Sequence, residues 1–414
     1  MTTTRSARKL NVLIAGAGIA GPPCAHFLAS AGHAVTVVER SSDLRTSGQS
    51  VDVRGHGLRV LQRMGVEDSV RARATHETGL KFVDANDLTR AAFPVDDGKG
   101  FTSDLEVMRG DLARCLYDRS GEAGVNYVFG ENITSTEDEE HGVVVQFAHG
   151  KQTARYDVVV AADGWASSTR RTVFGEAVHR EAIKPLLQWS AWFTIPSRDS
   201  DGDWARWYNA PQRRMILIRP DKHNGVTRVS FWIMDVEDKM QQALHQDIAA
   251  QKALWRSLFE DAGWEASRCL AALDTADDFY MQQVAQVKMP GPWSKGRTVL
   301  LGDAACCPSP ISGMGTTVAL VGAYVLAGEL IEHADDHTLA FESYERRMRP
   351  FVETAQKLAP GAPRMANPAS SWGITFLNGF LGFVAWSGLN KMMGASVNPP
   401  SEAMDLPDYE IRAA

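Results

Sequence analysis

Residues 10–21 decide the fold, and they read Leu-Asn-Val-Leu-Ile-Ala-Gly-Ala-Gly-Ile-Ala-Gly. The apolar run at 10–15 predicts a buried strand, and the glycine-rich turn after it leads into a helical segment at 22–31. That helix begins with Pro22 and Pro23, which fit a first turn because its N–H groups have no partner inside the helix. Ala34–Glu39 then predicts a second buried strand. The order strand, helix, strand predicts an α/β domain with a parallel sheet.

The glycine-rich turn, here called the Gly loop (residues 16–21), has the form Gly-x-Gly-x-x-Gly. Gly16 permits a tight turn, Gly18 lets the backbone approach a pyrophosphate, and Gly21 lets the helix pack closely on the strand. Glu39 ends the second strand 18 residues after Gly21, where a carboxylate can accept hydrogen bonds from ribose hydroxyls. The pattern predicts a site for the ADP moiety of NAD, NADP or FAD and leaves open which of them binds.

Composition restricts the class of protein. The 414 residues suffice for two or three domains, and 44% hydrophobic with 22% charged residues is typical of a globular protein. The net charge of −7 and the lack of a Lys/Arg-rich block argue against nucleic-acid binding. Five cysteines at irregular spacing form neither a disulfide framework nor a zinc motif, which favours a reducing, cytoplasmic compartment. The histidines lack H-E-x-x-H spacing, so no metal is assigned.

Two further motifs follow later strands. Residues 163–170 read Asp-Gly-Trp-Ala-Ser-Ser-Thr-Arg, and residues 301–305 read Leu-Gly-Asp-Ala-Ala, with Pro310, Gly313 and Gly315 soon after. Together with the Gly loop, and in this order, they resemble the class A flavoprotein monooxygenases, the p-hydroxybenzoate hydroxylase family. The likeness covers nearly the whole chain and is greatest to tetracycline-inactivating and polyketide-hydroxylating FAD monooxygenases.

The resemblance implies an α/β protein whose FAD-binding Rossmann-like domain is interrupted by a mostly antiparallel β-sheet substrate domain. The chain agrees with this, because aromatic, β-rich runs separated by turns begin after about residue 176. We expect the FAD-binding domain at 1–75, 101–175 and 285–350, the substrate domain at 76–100 and 176–284, and a C-terminal helix and tail bridging the domains at 351–414. The pattern also predicts one strand at Tyr156–Ala162 and one helix at Gln241–Ala262.

The resemblance also implies cofactor contacts. Asp303 would bind the ribityl chain of FAD, and the loop after Pro310 would face the pyrimidine edge of the flavin from a helix N-terminus. Arg45, with Arg40 near it, would meet the phosphates of NADPH or NADH. Cys306 replaces the usual family histidine, and a small buried side chain is expected there rather than a reactive thiol. The implied cofactor residues are Gly16, Gly18, Ile19, Ala20, Gly21, Glu39, Arg40, Arg45, Asp52, Arg109, Asp163, Gly164, Arg170, Gly302, Asp303, Gly313, Met314, Gly315 and Thr316.

Substrate contacts are expected on the aromatic sheet. Residues 187–195 alternate so that one strand face packs on a core and the other lines a cavity. A loose alignment to the tetracycline-inactivating enzymes adds an arginine and a polar contact, and tryptophans would supply flat apolar walls. Core aromatics and a solvated arginine are the alternative interpretation. The predicted substrate contacts are Gln188, Ser190, Arg206, Trp207, Trp232 and Pro310.

The activity implied by the family is monooxygenation with non-covalent FAD. NAD(P)H would reduce the flavin and leave, O₂ would then give a flavin C4a-hydroperoxide, and this would hydroxylate an aromatic or polycyclic small molecule. No catalytic side chain is assigned, since the flavin carries the chemistry. The alternatives are a flavin-dependent halogenase, whose W-x-W-x-I-P signature is misspaced at Trp189–Pro196, and an FAD-binding protein that does not oxygenate.

One segment bears on membrane binding. No charged residue occurs from Met365 to Asn390, and Trp372–Gly388 is rich in Phe, Leu and Trp. Six interruptions by Gly, Asn and Ser between 373 and 388 favour a helix buried between domains over a membrane span. An interfacial anchor at 372–388 is the alternative. The chain is expected to be a monomer or a homodimer.

Overall fold

The computed structural model describes residues 8–46, 48–95, 105–150, 153–221, 224–389 and 401–411. It confirms the predicted α/β class, with a mostly parallel sheet and a separate, mostly antiparallel one. In chain order the strands are β1 Asn11–Ala15, β2 Ala34–Glu39, β3 Ser50–Val53, β4 Gly79–Val83, β5 Thr89–Pro94, β6 Leu105–Met108, β7 Asn126–Phe129, β8 Ile133–Glu139, β9 Gly142–Phe147, β10 Ala154–Tyr156, β11 Val158–Ala161, β12 Ile183–Pro196, β13 Trp204–Ala210, β14 Arg214–Asp221, β15 Val226–Met234, β16 Tyr280–Val287, β17 Ser294–Lys295 and β18 Thr298–Leu300.

Helices pack on the parallel sheet, pack on one face of the antiparallel sheet and form the C-terminal region. They are α1 Gly21–Ser30, α2 His56–Met64, α3 Glu67–Arg71, α4 Arg109–Glu122, α5 Ser168–Phe174, α6 Glu176–Ala182, α7 Glu237–Ala243, α8 Ile248–Phe259, α9 Ala266–Leu273, α10 Asp303–Cys306, α11 Gly315–Glu332, α12 His337–Ala355 and α13 Ser371–Ser387.

The six-stranded sheet has the order β17-β18-β11-β1-β2-β7 and is parallel except for the short β17. In the centre of the sheet, Ala15 of β1 pairs with Val38 on one side and Ala161 on the other. The central strands β1, β11 and β18 are almost wholly buried apolar runs, because helices cover one face of the sheet and the three-stranded sheet β8–β10 covers the other. The long helix α11 packs on α1, where the rings of Phe27 and Tyr324 lie 5.1 Å apart. This sheet brings the Gly loop, the 163–170 motif and the 301–305 motif to one edge.

The seven-stranded sheet has the order β16-β12-β15-β14-β13-β4-β5 and is antiparallel except where β13 pairs with β4. One face packs on helices α7, α8 and α9 through a core that includes Trp189, Phe231 and Trp255. The other face, here called the cleft-side face, contains Trp232 and Val284 and contacts Ile311 of the parallel-sheet domain. The predicted domain bounds stay a prediction.

Two predicted elements are each divided in the structure. The helix predicted at Gln241–Ala262 is two helices, α7 and α8, and Asp247 begins the second by accepting a hydrogen bond from the N–H of Ala250 at 2.8 Å. The strand predicted at Tyr156–Ala162 breaks at Asp157, whose carboxylate accepts from the N–H of Asn11 at 2.7 Å. In each place the interruption falls at an aspartate whose carboxylate accepts from a backbone N–H.

The prediction that 372–388 is buried between domains is wrong. Helix α13 covers β5 with one face, and Val384 is its only buried residue. Trp372 is 78% exposed and Trp386 is 83% exposed. The structure contains one helix, α11, that is long and apolar enough to cross a membrane within the described ranges, and 78% of it is buried among other elements.

Candidate functional site

A cleft of about 380 Å³ runs along the carboxyl ends of β1, β2 and β11. Ligands of open α/β sheets bind at this edge. The predicted cofactor residues that line the cleft are Gly16, Gly18, Ile19, Ala20, Glu39, Arg40, Arg45, Arg109, Asp163, Gly164, Asp303, Gly315 and Thr316, and the predicted substrate residue Pro310 lines it too. Six predicted cofactor residues do not line the cleft: Gly21, Asp52, Arg170, Gly302, Gly313 and Met314.

The Gly loop is packed so tightly that two of its glycines have no room for a side chain. Gly16 has φ +108° and donates to the carbonyl of Val38 at 2.7 Å, and a Cβ on it would lie 2.5 Å from the carbonyl oxygen of Ala162. A Cβ on Gly21 would lie 2.0 Å from the oxygen of Gly16. A Cβ on Gly18 would meet only the guanidinium of Arg109, at 3.5 Å. Gly18 therefore presents open backbone to the cleft, as a phosphate site requires.

Glu39 stands at the end of β2 beside this loop. Its carboxylate accepts from the N–H of Ala17 at 2.9 Å and from that of Ser41 at 3.0 Å. These bonds tie the Gly loop to the turn after β2 and leave the carboxylate facing the cleft.

Arg109 begins α4 and lies across the Gly loop. Its N–H donates to the carbonyl of Gln49 at 3.0 Å, and Gly110 permits this approach because a Cβ there would lie 1.8 Å from the oxygen of Thr46. Burial, and then the neighbouring charge of Arg45, lowers the pKa of the Arg109 guanidinium. Two cations so close together favour an anionic ligand in the cleft.

The motif at 163–170 joins two sides of the cleft. The carboxylate of Asp163 accepts from the N–H of Thr169 at 3.0 Å and from the hydroxyl of Ser167, which fixes the first turn of α5. Arg170 is fully buried and donates to the carbonyls of Trp165 at 2.6 Å and Ala304 at 2.7 Å. Arg170 therefore holds this motif against the 301–305 motif rather than reaching the cleft itself.

Asp303 begins α10, and its carboxylate lines the cleft. Burial raises its pKa, although a hydrogen bond with Cys307 and the charge of Arg109 act in the opposite direction. Gly302 has φ +60°, and a Cβ on it would lie 2.9 Å from Cβ of Ala20, so this turn packs directly on the Gly loop. Cys306 is buried, and this burial raises the pKa of its thiol. It is therefore the small buried side chain that the sequence predicts rather than a reactive thiol.

The loop at 310–316 ends at the start of α11. Gly315 and Thr316 line the cleft, and the first N–H groups of this 18-residue helix have no partner inside it. Asp52 lies beside the loop, since a Cβ on Gly313 would be 3.3 Å from its Oδ2. The same oxygen accepts from Arg54 at 3.0 Å.

The antiparallel sheet closes one end of the cleft, and Tyr280 of β16 is the contact that sequence reasoning missed. Its ring lies parallel to that of Trp192 at 6.4 Å, the guanidinium of Arg45 lies 5.4 Å from its centroid, and its hydroxyl donates to Gln49. Burial raises the pKa of Tyr280 above its usual range. No local motif marks Tyr280, because its role arises from strand pairing across 88 residues between Trp192 and Tyr280.

Four predicted substrate residues lie on the cleft-side face: Gln188, Ser190, Trp207 and Trp232. Ser190 accepts from the indole N–H of Trp192 at 3.0 Å. Gln188 is 2% exposed, and its Oε1 has no hydrogen-bond partner among the described residues. A buried acceptor of this kind fits a ligand hydroxyl or N–H.

Arg206 is not part of the site, against the prediction. It alternates with Trp207 along β13 and therefore points to the opposite face of the sheet. There it pairs with Asp87 at 3.0 Å and Asp201 at 3.2 Å, and it lies over the ring of Trp264.

One group of possible metal ligands occurs in the described parts of the chain, formed by Glu329, Glu332 and His333. Glu329 is 1% exposed and already accepts from Tyr409 and Arg347, each at 2.6 Å. It therefore holds the C-terminal tail on α11.

The residues fit FAD. The Gly loop offers open backbone for a pyrophosphate, Glu39 and Asp303 offer acceptors at two separated points of the cleft, and α11 begins at the end that meets the antiparallel sheet. The cleft thus matches an extended, anionic dinucleotide whose far end reaches an aromatic wall.

Comparisons with known proteins agree with this geometry. Residues 9–359 match the family described as FAD binding domain. The flavin-dependent monooxygenase eupH of Phoma sp is 40% identical over 97% of this chain and 98% of its own length. The crystal structure of tetracycline destructase Tet(55) is 31% identical with a TM-score of 0.76, covering 97% of this chain and 99% of that one. Tetracycline destructase Tet(51) is 29% identical with a TM-score of 0.77, covering 98% and 100%. The chain belongs to the FAD-binding class A flavoprotein monooxygenases.

Proposed function

We propose that this enzyme uses NAD(P)H and O₂ to hydroxylate a flat aromatic or polycyclic small molecule. The observation that supports this most directly is the contact between the loop at 310–316 and the antiparallel sheet. The loop at 310–316 lies at the end of the FAD cleft, and Ile311 in it packs against the aromatic, cleft-side face of the antiparallel sheet. A ligand held there lies between the cofactor cleft and flat apolar walls.

In this proposal FAD, when bound, transfers the electrons of NAD(P)H to O₂ and supplies the oxygen-transfer chemistry. The chain binds and orients it. The Gly loop receives the pyrophosphate, Glu39 the adenosine ribose and Asp303 the ribityl chain, and Arg109 neutralises charge above Gly18. The N–H groups at the start of α11 stabilise negative charge at the pyrimidine edge of the flavin.

The antiparallel sheet orients the substrate and excludes water. Trp192 and Trp232 lie edge to face at 5.2 Å, and their indole N–H groups donate to Ser190 and Ser230. Because these donors are satisfied within the wall, its surface toward a ligand is apolar. Gln188 supplies a single polar contact, which orients a ring that carries a hydroxyl or N–H.

The activity is tested with purified holoenzyme, NADPH or NADH, and a panel of phenols and polycyclic polyketides under ¹⁸O₂. We expect coenzyme oxidation that the substrate stimulates, and a product that gains one labelled oxygen. A chlorinated product in the presence of chloride would favour the halogenase. Coenzyme oxidation that no ligand stimulates, with no labelled product from any ligand, would favour an FAD-binding protein that does not oxygenate.

The role of Gln188 is tested by Gln188→Met, which keeps the volume and removes the acceptor. We expect a roughly tenfold higher KM for a hydroxylated substrate, since a buried hydrogen bond contributes about 1–3 kcal/mol when its loss leaves a partner unpaired. Lys184→Met, on the exposed part of the same strand, is the control and should keep the KM. An unchanged KM in Gln188→Met would remove the residue from the substrate site.

Arg45 is proposed to receive the phosphates of NAD(P)H. Its side chain is exposed and lines the cleft. Its guanidinium lies over the ring of Tyr280, which belongs to the antiparallel sheet. Arg45→Ala should keep FAD bound and raise the Kd for NADPH roughly ten- to a hundredfold, because a charge-assisted bond contributes about 1.5–3 kcal/mol. Anaerobic stopped-flow reduction across NADPH concentrations measures this. The same concentration dependence in wild type and variant would place the coenzyme elsewhere.

The cytoplasm is the compartment we propose for this reaction. All five cysteines are free and buried, which suits a reducing environment that also supplies NAD(P)H.

A further inference from the structure

Helix α13 has two unlike faces. Its inner face packs on β5, where Val384 joins a small core with Ala91 and Phe93. Its outer face carries five exposed aromatic residues, here called the α13 stripe. They are Trp372 at 78%, Phe376 at 67%, Phe380 at 47%, Phe383 at 53% and Trp386 at 83% exposure.

The α13 stripe is continuous along the helix. Its members are separated by four, four, three and three residues, so they follow one side of the helix over about 21 Å. With roughly 200 Å² for each aromatic side chain, the stripe exposes about 650 Å². That exceeds the largest apolar patch of a typical monomer, about 300–600 Å², and marks an interaction surface.

The order of residues in the stripe is almost the same in both directions. Reading inward from either end gives Trp, then Phe, and the centre falls at Gly379. In an antiparallel pair of such helices, Trp372 of one copy lies opposite Trp386 of the other, and Phe376 lies one residue from the position opposite Phe383. A two-fold interface requires this kind of self-complementarity, because each contact occurs twice with its partners exchanged.

We propose that the α13 stripe pairs with the same stripe of a second copy of this chain, antiparallel, about a two-fold axis near Gly379. The two stripes together would bury about 1,300 Å², within the range of stable interfaces. Gly379 is exposed and a Cβ on it would meet no atom within 4 Å, so the helices can approach closely at the axis. Phe380 lies one residue from the axis, beside Gly379 of the other copy, and fills the space that the glycine leaves.

The chemistry of α13 favours a second copy over a membrane surface. Helices that lie in a membrane interface combine an apolar face with a face rich in Lys and Arg. Helix α13 contains no charged residue, and its inner face is covered by β5. The net charge of −7 also opposes binding to anionic lipid.

The first test measures mass by light scattering over about 1–100 µM protein, the range in which an interface of this size associates. Wild type should weigh twice 45.3 kDa. Phe376→Glu buries an unpaired charge twice in a two-fold interface and should weaken association at least about a hundredfold. Ile248→Glu, on the exposed side of α8 at 50% exposure, is the matched control and should stay dimeric. Both variants should keep their FAD content, which shows that they fold.

The second test fixes the geometry with cysteines, since all five native thiols are buried. Under mild oxidation Gly379→Cys should cross-link to itself, because disulfides need Cα atoms about 4.4–6.8 Å apart. Trp372→Cys and Trp386→Cys should each remain monomeric in reducing-agent-free gels when alone, and should cross-link to each other when mixed.

Several results would overturn the proposal. A wild-type mass of one chain across the whole range would do so, as would a dimer that Phe376→Glu leaves intact. Cross-linking of Trp372→Cys to itself without cross-linking to Trp386→Cys would show a parallel or unspecific contact. A monomer that floats with phosphatidylcholine–phosphatidylglycerol vesicles, and loses this in Phe376→Glu, would assign the stripe to a membrane.

Discussion

Two carboxylates face the cofactor cleft from different surroundings. Asp303 stands at the start of α10, where burial raises the pKa of its carboxyl, whereas Glu39 accepts from two backbone N–H groups at the end of β2. We predict that Asp303→Ala weakens FAD binding more than Glu39→Ala. A ribityl hydroxyl left unpaired inside the fold costs about 1–3 kcal/mol, whereas water replaces a partner that is lost near the surface.

Flavin fluorescence during titration of the apoprotein measures both affinities. Asp303→Asn, which keeps an acceptor at the same place, is the control and should recover part of the loss. Equal affinities in the two alanine variants, or a weaker one for Glu39→Ala, would contradict the assignment of Asp303 to a buried contact.

Residues inside motifs were predictable, and residues placed by strand pairing were not. The Gly loop, Asp163 and Asp303 reach one cleft because each follows a parallel strand directly. Arg206, expected at the substrate site from a loose alignment, points to the opposite face of its sheet from Trp207, because successive side chains of a strand alternate between the two faces. Tyr280 depends on its pairing with Trp192, which no local pattern contains.

At the scale of one element, α4 carries two glycines with opposite constraints. A Cβ on Gly110 would lie 1.8 Å from the oxygen of Thr46, whereas a Cβ on Gly121 would meet nothing within 4 Å. Gly110→Ala must displace Thr46 and with it Arg109, so we predict loss of most FAD binding. Gly121→Ala should instead stabilise the fold by about 0.5–1 kcal/mol, through helix propensity alone.

Urea unfolding and FAD content, measured for both alanine variants, decide this prediction. Gly121→Ala is the matched control because the substitution and the helix are the same. Normal FAD content in Gly110→Ala would mean that the contact between α4 and Thr46 does not shape the cleft.

At the scale of one element, the apolar composition of α13 does not determine which surface covers the helix. Its apolar composition was visible in the sequence, and burial between domains was the simplest consequence. The structure instead covers only the side near Val384. Composition determines how much surface a helix can bury, but the partner that buries it depends on the arrangement of the whole chain.

For the whole molecule, two histidines of the parallel-sheet domain link stability to pH. Burial lowers the pKa of His26 and of His33 to about 4, and nearby Arg119 and Lys9 respectively act in the same direction. His33 accepts from the N–H of Leu10 at 3.0 Å, which its protonation would abolish. The unfolded chain takes up these protons near pH 6.5, so the folded state loses stability as pH falls from 6.5 toward 4.

Each histidine contributes a slope of about 1.4 kcal/mol per pH unit within that range. We predict that His33→Gln, which keeps an acceptor for Leu10, lowers the slope by the contribution of one histidine while stability above pH 7 changes little. Urea unfolding at saturating FAD between pH 4 and pH 8 gives both curves. Parallel curves for wild type and variant would show that His33 titrates normally in the folded protein.

The order of the motifs along the chain predicted the whole architecture better than it predicted any single contact. A parallel sheet needs its strands side by side, and the motifs that follow β1, β11 and β18 therefore had to meet at one edge. The two-domain layout followed from the aromatic, β-rich texture between those motifs. The way the domains face each other depends on packing at Ile311 and Tyr280, which sequence patterns do not contain.

The sheet order β17-β18-β11-β1-β2-β7 has a consequence for how the protein is made. The Gly loop leaves the ribosome first, but β18 pairs with β11 only once residue 300 has been added, and Phe27 finds its place against Tyr324 still later. At about 5–20 residues per second, roughly 15–60 seconds separate the translation of the Gly loop from that of the end of α11. Between the end of β11 at residue 161 and the end of β18 at residue 300, roughly 7–28 seconds at the same rate, β11 presents an open edge that other chains can pair with. Capture of the flavin therefore comes at the end of synthesis, and the nascent chain needs protection of the β11 edge until β18 has been added.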